Sequence, residues 1–181
     1  SAEIQGKRLQ LLKEVFPSAS RIAVIHNPLN VAEGRMLSMI KEASAVLKLT
    51  TRVLEVKSEA ELASAFALLE SERPDVLYIM ESPLTYIHRA RVVEFVNNRR
   101  LPAVYSYPEF TEAGGLMSFS FSPSDHYRAA ATYIDKILKG AKPADLPVEQ
   151  PTRFELVLNH KTAKAQGVKF PPAILLRADR V

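Results

Sequence analysis

The stretch from Arg21 to Asn30, RIAVIHNPLN, joins a short apolar strand to the start of a helix, and similar joins recur along the chain. Residues 22–25 are too few for a buried helix, so this run predicts a strand that is covered on both faces. Asn30 and Glu33, which are three residues apart, are typical of a helix N-cap. Because open α/β sheets bind ligands at the edge where their parallel strands end, this join also marks where a site is expected.

Strand and helix patterns alternate through the rest of the sequence, with connections of a few residues. Predicted strands lie at 21–26, 51–56, 76–80, 101–105, 116–121 and 154–158, and predicted helices include 6–16, 31–48, 84–99, 124–139 and 161–166. Right-handed connections between such elements give a parallel sheet with helices on both faces. The sequence therefore predicts a three-layer α/β fold.

Composition excludes several classes of protein. The 181 residues are 47% hydrophobic and 24% charged and contain no cysteine, which excludes a disulfide scaffold and a thiolate metal site. The net charge is +4, and the adjacent basic pairs Lys7-Arg8 and Arg99-Arg100 are interpreted as solvated helix surface, so no nucleic-acid partner is expected. No apolar run is long enough for a membrane-spanning helix, and no signal peptide is present in these residues.

Polar side chains recur at the carboxyl ends of the predicted strands. They are His26, Asn27, Glu81, Ser82, Ser106, Glu109, Ser118, Ser120 and Ser122. In a parallel sheet these positions converge on one edge, where hydroxyl and amide groups suit recognition of a small polar ligand. Any one of them is also typical of a turn or a helix cap, so the prediction depends on the set and not on a single residue.

Motifs for catalysis, cofactors and metals are absent from the sequence. There is no glycine-rich dinucleotide or phosphate loop, no H-E-x-x-H pair and no G-x-S-x-G elbow. His26 is the one histidine at the proposed edge, and alone it is interpreted as a packing or hydrogen-bonding residue. The sequence therefore predicts a protein that is not an enzyme and that needs no cofactor or metal.

Two stretches resemble one protein family. They are KILKGAKPADLPVEQPTRFELVLNHKTAKAQG at 136–167 and GKRLQLLKEVFPSASRIAVIHNP at 6–28. Both are similar to the ABC-transporter substrate-binding proteins related to tryptophan- and phenylalanine-binding lipoproteins, and the similarity spans essentially the whole chain. The resemblance implies a flavodoxin-like sheet that forms the second lobe of a type I periplasmic-binding-protein-like fold. It also implies that most of the first lobe and the signal peptide lie outside these residues.

The resemblance implies a function in solute transport. The protein is expected to bind a small polar or amino-acid-like solute between two lobes and to deliver it to an ABC permease, in the periplasm or elsewhere outside the cytoplasm. The ligand-facing positions implied are Asn27, Asn30, Ser82, Thr85, Ser106 and Glu109. The alternatives left open are the effector-sensing lobe of a transcription regulator, which shares the fold, and a flavodoxin-like enzyme.

The resemblance also divides the chain. Residues 1–114 and 141–181 are assigned to the second lobe, and residues 115–140 form a strand and helix that would belong to the missing first lobe. Because both elements of this unit carry large apolar side chains, we expect them to be covered. The favoured expectation is a homodimer in which residues 115–140 pair across a two-fold axis, and the alternative is docking on the chain's own sheet.

Overall fold

The computed structural model describes residues 2–147 and 153–181, and these residues form a sheet of six strands in the order β2-β1-β3-β4-β5-β6. The strands are β1 (Arg21–His26), β2 (Thr50–Glu55), β3 (Val76–Ile79), β4 (Ala103–Tyr105), β5 (Met117–Phe121) and β6 (Phe154–Leu158). Strands β1 to β5 are parallel to one another, as predicted. Their carboxyl ends therefore form one edge of the sheet.

Helices cover both faces of this sheet. They are α1 (Ala2–Val15), α2 (Val31–Val46), α3 (Glu59–Glu72), α4 (Pro83–Ile87), α5 (Arg89–Asn98), α6 (Pro108–Glu112), α7 (Pro123–Leu138), α8 (His160–Gln166) and α9 (Pro172–Leu175), with a short 3-10 helix at Pro143–Asp145. The helix predicted at 84–99 is divided into α4 and α5, because the backbone at His88 has a ψ of 18° and interrupts the helical repeat. The sequence predicts a Pro-rich connection at 142–152, of which residues 148–152 lie outside the described residues.

Alternating side chains of β1 divide the apolar core between the two faces. Ile22 and Val24 pack with residues of α1, α2, α8 and α9 on one face. Ala23 and Ile25 pack with residues of α3, α5 and α6 on the other. Because every residue from 22 to 25 is buried, the strand is covered on both sides, which confirms the prediction made from its unbroken apolar run.

Strand β6 runs antiparallel to β5, which corrects the expectation of a wholly parallel sheet. The cause is the path of the segment between them. The chain leaves β5 at the carboxyl edge and returns at that same edge, where the N–H of Ser122 donates to the carbonyl oxygen of Arg153 at 3.1 Å. Because α7 does not cross back over the sheet, the next strand can only run in the opposite direction.

Helix α7 contributes no residue to either apolar core cluster. Its large apolar side chains are exposed, with Tyr127 at 78% and Leu138 at 81% of their full accessibility. The strand that precedes it, β5, lies inside the sheet between β4 and β6. The strand of segment 115–140 is therefore part of this chain's own sheet, which corrects the expectation that it would belong to another lobe. The assignment of α7 to another lobe stays a prediction.

Asp75 links the amino ends of β1 and β3 through hydrogen bonds. Its replacement tests how the free energy of unfolding depends on pH. Its Oδ2 accepts hydrogen bonds from the backbone N–H groups of Ser20 and Arg21 at 2.8 and 2.9 Å. The N–H of Ser20 is the main cause that lowers the pKa of Asp75 from 3.8 to about 2. Since a third of the side chain is exposed, we expect Asp75→Asn to reduce the free energy of unfolding by only about 1 kcal/mol at neutral pH.

The pH profile gives the sign of this effect. Because the pKa of Asp75 is lower in the folded chain, its stabilisation is complete above about pH 4 and is lost as the pH falls towards 2. Urea unfolding of both proteins between pH 6 and pH 2 should therefore show a difference that shrinks over that range. A difference that stays constant with pH would contradict the assigned role of the carboxylate.

Candidate ligand-binding site

Two adjoining cavities open at the carboxyl edge of the sheet. Their volumes are about 340 and 430 Å³, and Glu81, Tyr107 and Glu109 line both. The first cavity is also lined by Ile4, Gln5, Arg8, Met36, Tyr78, Met80, Ser106, Ser120, Phe121 and Tyr127. The second is completed by Asn30, Ser82, Pro83 and Tyr86. The edge therefore brings together side chains from the ends of several strands and from α1, which lies far away in sequence.

Of the six residues predicted to face a ligand, four line one or both of these cavities and two line neither. Glu109 lines both of them, Ser106 lines the first, and Asn30 and Ser82 line the second. Asn27 and Thr85 line neither, although both lie at the same edge of the sheet. Their assignment as ligand contacts stays a prediction for all six, and four of them line a cavity at the carboxyl edge.

The loop between β1 and α2 is organised by Glu33, which is only 1% exposed. Its carboxylate accepts from the N–H of Asn27 at 2.7 Å and from the side-chain amide of Asn30 at 3.1 Å. Burial raises the pKa of Glu33, and these two hydrogen bonds partly offset that effect. Asn30 also caps α2, because its Oδ1 accepts from the N–H of Ala32. Both asparagines are thus used largely to shape the loop.

Ser82 and Thr85 form a reciprocal cap at the start of α4. The N–H of Thr85 donates to Ser82 Oγ at 3.1 Å, and the N–H of Ser82 donates to Thr85 Oγ1 at 3.0 Å. Both side chains are buried, at 3% and 2% exposure. This arrangement fixes the direction of the backbone where β3 leads into the second cavity.

Removal of this cap is expected to destabilise the chain. Ser82→Ala leaves the buried N–H of Thr85 without its acceptor, so we expect the free energy of unfolding to fall by about 1 to 2 kcal/mol. The matched control is Ser71→Ala, because that hydroxyl is exposed and donates only to the carbonyl oxygen of Leu68. Chemical denaturation measures both variants, and equal stability of the two would show that the Ser82 hydroxyl is not needed as a cap.

Arg8 is a buried residue of the site that the sequence interpretation missed. It is 4% exposed, and its Nε donates to the carbonyl oxygen of Phe119 at 2.6 Å. Nη1 donates to the hydroxyl of Tyr78 at 2.9 Å and to Oε1 of Gln5 at 3.3 Å, and Nη2 donates to the carbonyl oxygen of Ser106 at 3.2 Å. None of the ion pairs found among the described residues includes it. The positive charge thus lies in the wall of the first cavity without a compensating carboxylate.

The prediction that Lys7-Arg8 is solvated surface is therefore wrong for Arg8. In α1 this residue lies four positions after Ile4 and four before Leu12, which are both buried, so its stem continues the apolar face of the helix. The same spacing is readable in the sequence. It would have placed Arg8 on the buried side of α1 and Lys7 beside it on the exposed side.

Acidic and phenolic groups meet where the two cavities join. The hydroxyl of Tyr107 donates to Oε1 of Glu81. Burial, reinforced by this hydrogen bond to a carboxylate, raises the pKa of Tyr107, so the phenol stays protonated and remains a donor. One carboxylate oxygen of Glu109, Oε2, is shielded from water and has no hydrogen-bond partner in the described part of the chain. The same is true of the hydroxyl of Ser120, which is 3% exposed.

His26 is a packing residue, in line with its interpretation from sequence. It is 5% exposed and lines neither cavity, and its two ring nitrogens have no hydrogen-bond partner within residues 2–147 and 153–181. Burial lowers its pKa, although Glu55 lies 4.0 Å from Nε2 and partly offsets the effect. Burial outweighs that long contact with an exposed carboxylate, so the imidazole is neutral at neutral pH.

A larger cavity, of about 640 Å³, lies at the opposite edge of the sheet. It is lined by Leu69, Glu70, Arg73, Pro74, Asp75, Phe95, Asn98, Arg99, Arg100, Leu101 and Pro102. Among its charged side chains, Arg99 forms an ion pair with Glu70, and Asp75 accepts from the backbone N–H groups of Ser20 and Arg21. Since none of these residues has a buried side-chain atom without a hydrogen-bond partner, the candidate site is placed at the carboxyl edge.

The described residues contain no group of three or more His, Cys, Asp or Glu side chains placed to hold a metal ion. Within the same ranges, none of the helices has both the length and the apolar character needed to cross a membrane.

Comparison with known proteins identifies the family. A family model described as "ABC transporter substrate binding protein" matches residues 2–181. A "Tyrosine-binding protein" of Clostridioides difficile is 24% identical over 161 residues, which are 88% of this chain and 46% of that protein. The chain thus spans about half the length of this curated relative.

Solved structures share the fold. The ABC domain in complex with L-tryptophan from Streptococcus pneumonia has a TM-score of 0.88 and 25% identity, over 98% of this chain and 60% of that one. A conserved domain protein from Vibrio cholerae has a TM-score of 0.87 and 23% identity, over 97% of this chain and 59% of that one. The family consists of substrate-binding transport proteins and not of enzymes. Since the family model matches nearly every residue, this chain belongs to the ABC transporter substrate-binding protein family.

Proposed function

We propose that this chain is one lobe of the solute-binding component of an ABC transporter. A small polar or amino-acid-like solute would bind in a cleft, with the carboxyl edge of this sheet as one wall and a second lobe as the other. The observation that carries the proposal is the cavity at that edge, whose wall holds the buried guanidinium of Arg8 and the unpartnered hydroxyl of Ser120. A buried hydroxyl such as that of Ser120 is costly unless a partner satisfies it.

The contact residues we propose follow from the cavity walls. Asn30, Ser82, Ser106 and Glu109 would touch the solute directly, because each lines one or both cavities. Asn27 and Thr85 were predicted as contacts of the same kind. Since neither lines a cavity, they would act on the solute through the loops they hold in place.

Relatives support the amino-acid class of solute. One is named as a tyrosine-binding protein, and another was solved with L-tryptophan bound. The proposal therefore includes an ABC permease as the partner that receives the solute. It also includes a periplasmic or other extracytoplasmic location, which is where members of the family work. The alternative of a transcription regulator's effector-sensing lobe is not favoured by the family to which the chain belongs.

The function is tested with the full-length gene product that contains this chain. Titration calorimetry with a panel of amino acids should show saturable binding, and the bound form should stimulate ATP hydrolysis by the reconstituted permease. The 181-residue chain alone should bind weakly or not at all, because half of the cleft would be absent. A full-length protein that binds no solute, or that leaves the permease unaffected, would contradict the proposal.

Helix α7 is proposed to pack on a second lobe and not on this sheet. Its exposed apolar face includes Tyr127, Ile134 and Leu138, and the described residues of this chain do not cover it. The chain leaves the sheet at Ser122 and returns at Arg153, next to each other at the carboxyl edge. Because the segment between β5 and β6 leaves and rejoins the sheet at one edge, α7 can pack on another lobe without disturbing the six-stranded sheet.

The isolated chain is expected to form a homodimer through α7, the exposed part of segment 115–140, because β5 is already paired on both sides within its own sheet. Apolar side chains as exposed as Leu138, at 81%, favour burial against a second copy across a two-fold axis. Size-exclusion chromatography with light scattering at micromolar concentration should give twice the monomer mass, and the double variant Ile134→Glu with Leu138→Glu should give the monomer. Val46→Glu is the matched control, since Val46 is 82% exposed on α2 and away from that segment. A monodisperse monomer of the unmodified chain would contradict the dimer.

A further inference from the structure

We propose that the carboxyl edge selects solutes that carry a protonated amine, and that Glu81 and Glu109 hold this ammonium group. The inference rests on the proposed solute-binding function and adds the charge of the solute and the residues that recognise it. Glu81 was not among the positions predicted to face a ligand. It lies directly before Ser82, at the end of β3, and lines both cavities together with Glu109.

The two carboxylates lack any cation of their own. Neither Glu81 nor Glu109 takes part in an ion pair among the described residues. By contrast, Glu112, three residues further along α6, is exposed and pairs with Arg180 at 3.1 Å. The nearby cations are engaged elsewhere. Arg8 donates to neutral oxygens, and Arg89 lies 4.9 Å from the ring centroid of Tyr86.

The hydroxyl of Ser120 is a second, independent observation that indicates a ligand. It is 97% buried, lines the same cavity as both carboxylates and has no hydrogen-bond partner in the described ranges. Oε2 of Glu109 is likewise shielded from water without a partner there. An ammonium group has three N–H donors and no acceptor, so its chemistry matches a cavity lined by two carboxylates and an unpartnered hydroxyl. A neutral solute hydroxyl has one donor and leaves the two negative charges uncompensated.

Tyr107 and Arg8 favour a position for the ammonium beside the two carboxylates. The hydroxyl of Tyr107 donates to Oε1 of Glu81 and so holds that carboxylate in place at the junction of the two cavities. Burial keeps the pKa of Tyr107 raised, so this donor persists over the neutral pH range. The guanidinium of Arg8, on the α1 side of the first cavity, repels a cation and therefore directs the ammonium towards the two carboxylates.

The test compares solutes that differ only in the amine, using the full-length gene product. L-tyrosine and L-tryptophan are titrated against 3-(4-hydroxyphenyl)propanoate and indole-3-propanoate, which lack it, with glucose and benzoate as solutes without an amine. We expect the loss of the amine to weaken binding roughly 10- to 100-fold, as for hydrogen bonds to charged groups. Glu81→Gln and Glu109→Gln should each weaken amino-acid binding at least roughly 10-fold, and Glu112→Gln should leave it unchanged.

The outcomes separate this inference from the proposed function. Equal affinity for an amino acid and its analogue without the amine would overturn the inference and leave the solute-binding function intact. If the protein binds glucose or benzoate but no amino acid, the inference is also overturned and the solute-binding function is left intact. A protein that binds none of these solutes would overturn both. Melting temperatures of the unliganded variants show whether they fold, and the comparison of solutes on the unmodified protein decides the question even if a variant does not.

Discussion

Replacement of Gly115 by alanine is expected to lower the free energy of unfolding by about 2 to 3 kcal/mol, as overpacking in a dense core does. A Cβ at this position would lie 2.5 Å from Cε2 of Tyr105 and 2.8 Å from the carbonyl oxygen of Phe110. Tyr105 is fully buried and stacks on the ring of Phe110 with centroids 5.0 Å apart, so it has little room to move. The N–H of Gly115 also donates to that carbonyl oxygen at 2.8 Å, so relief of the clash would cost this bond.

Two helical glycines provide matched controls for this prediction. A Cβ added at Gly6 in α1 or Gly34 in α2 meets no atom within 4 Å. Alanine at either position should raise the free energy of unfolding by about 0.5 to 1 kcal/mol, because it restricts the unfolded chain. Urea denaturation measures all three variants. If Gly115→Ala is as stable as these controls, the close contact with Tyr105 does not exist in solution.

Removal of the Arg8 side chain is the second large effect that we expect. Arg8→Ala breaks hydrogen bonds to the carbonyl oxygens of Phe119 and Ser106 and to the hydroxyl of Tyr78, so α1 loses its polar attachment to β3, β4 and β5. Each such bond to a charged donor is worth about 1.5 to 3 kcal/mol, and the loss of a buried, uncompensated charge offsets part of the sum. We therefore expect a net loss of about 3 kcal/mol in the free energy of unfolding.

The neighbouring residue is the control for Arg8. Lys7 is exposed and makes a contact with Glu3 one turn away, together with a cation–π contact to Phe154 at 4.5 Å. Lys7→Ala should cost at most about 1 kcal/mol. Thermal and urea unfolding of the two variants compare them directly. A loss at Arg8 no greater than that at Lys7 would mean that the buried guanidinium does not hold α1 on the sheet.

Most of the fold was predictable because apolar runs marked the buried strands and because helical periods with N-caps marked the helices that cover them. The four apolar residues of β1 and the Asn30 cap gave the first strand and helix within one or two residues. Helix faces were less reliable. The helical period of α2 predicts Val46 on the buried face, but Val46 is 82% exposed at the last residue of the helix.

The direction of β6 could not be predicted from local pattern. A parallel strand would require the chain to cross the sheet between β5 and β6, and the alternation of strand and helix patterns predicts such a crossing. Instead the apolar face of α7 stays exposed, and β6 returns at the edge where β5 ends. An apolar helix face indicates that the helix packs against something, but the sequence pattern does not show whether this is the chain's own sheet, another lobe or a second copy.

The cavities at the carboxyl edge lie where the sequence predicts a site, but not all the residues that line them were predicted. Strand ends located Ser82, Ser106 and Glu109 on the cavity walls, whereas Arg8 reaches them from a helix 98 residues before Ser106. Asn27 lies at the correct edge, yet its side chain accepts from the N–H of Leu29 and shapes the turn. Whether a polar side chain caps a loop or faces a cavity depends on backbone direction, which the residue type alone does not give.

A crystal structure of the full-length gene product with its solute bound is the most direct test of the carboxyl edge as the ligand-binding face. The amino acid that binds most tightly in calorimetry is the compound to use. We predict density for the solute between Ser106, Glu109 and Ser120, with contacts to the walls of the two adjoining cavities. A solute bound instead at the opposite edge, in the cavity lined by Arg73 and Arg99, would contradict the account.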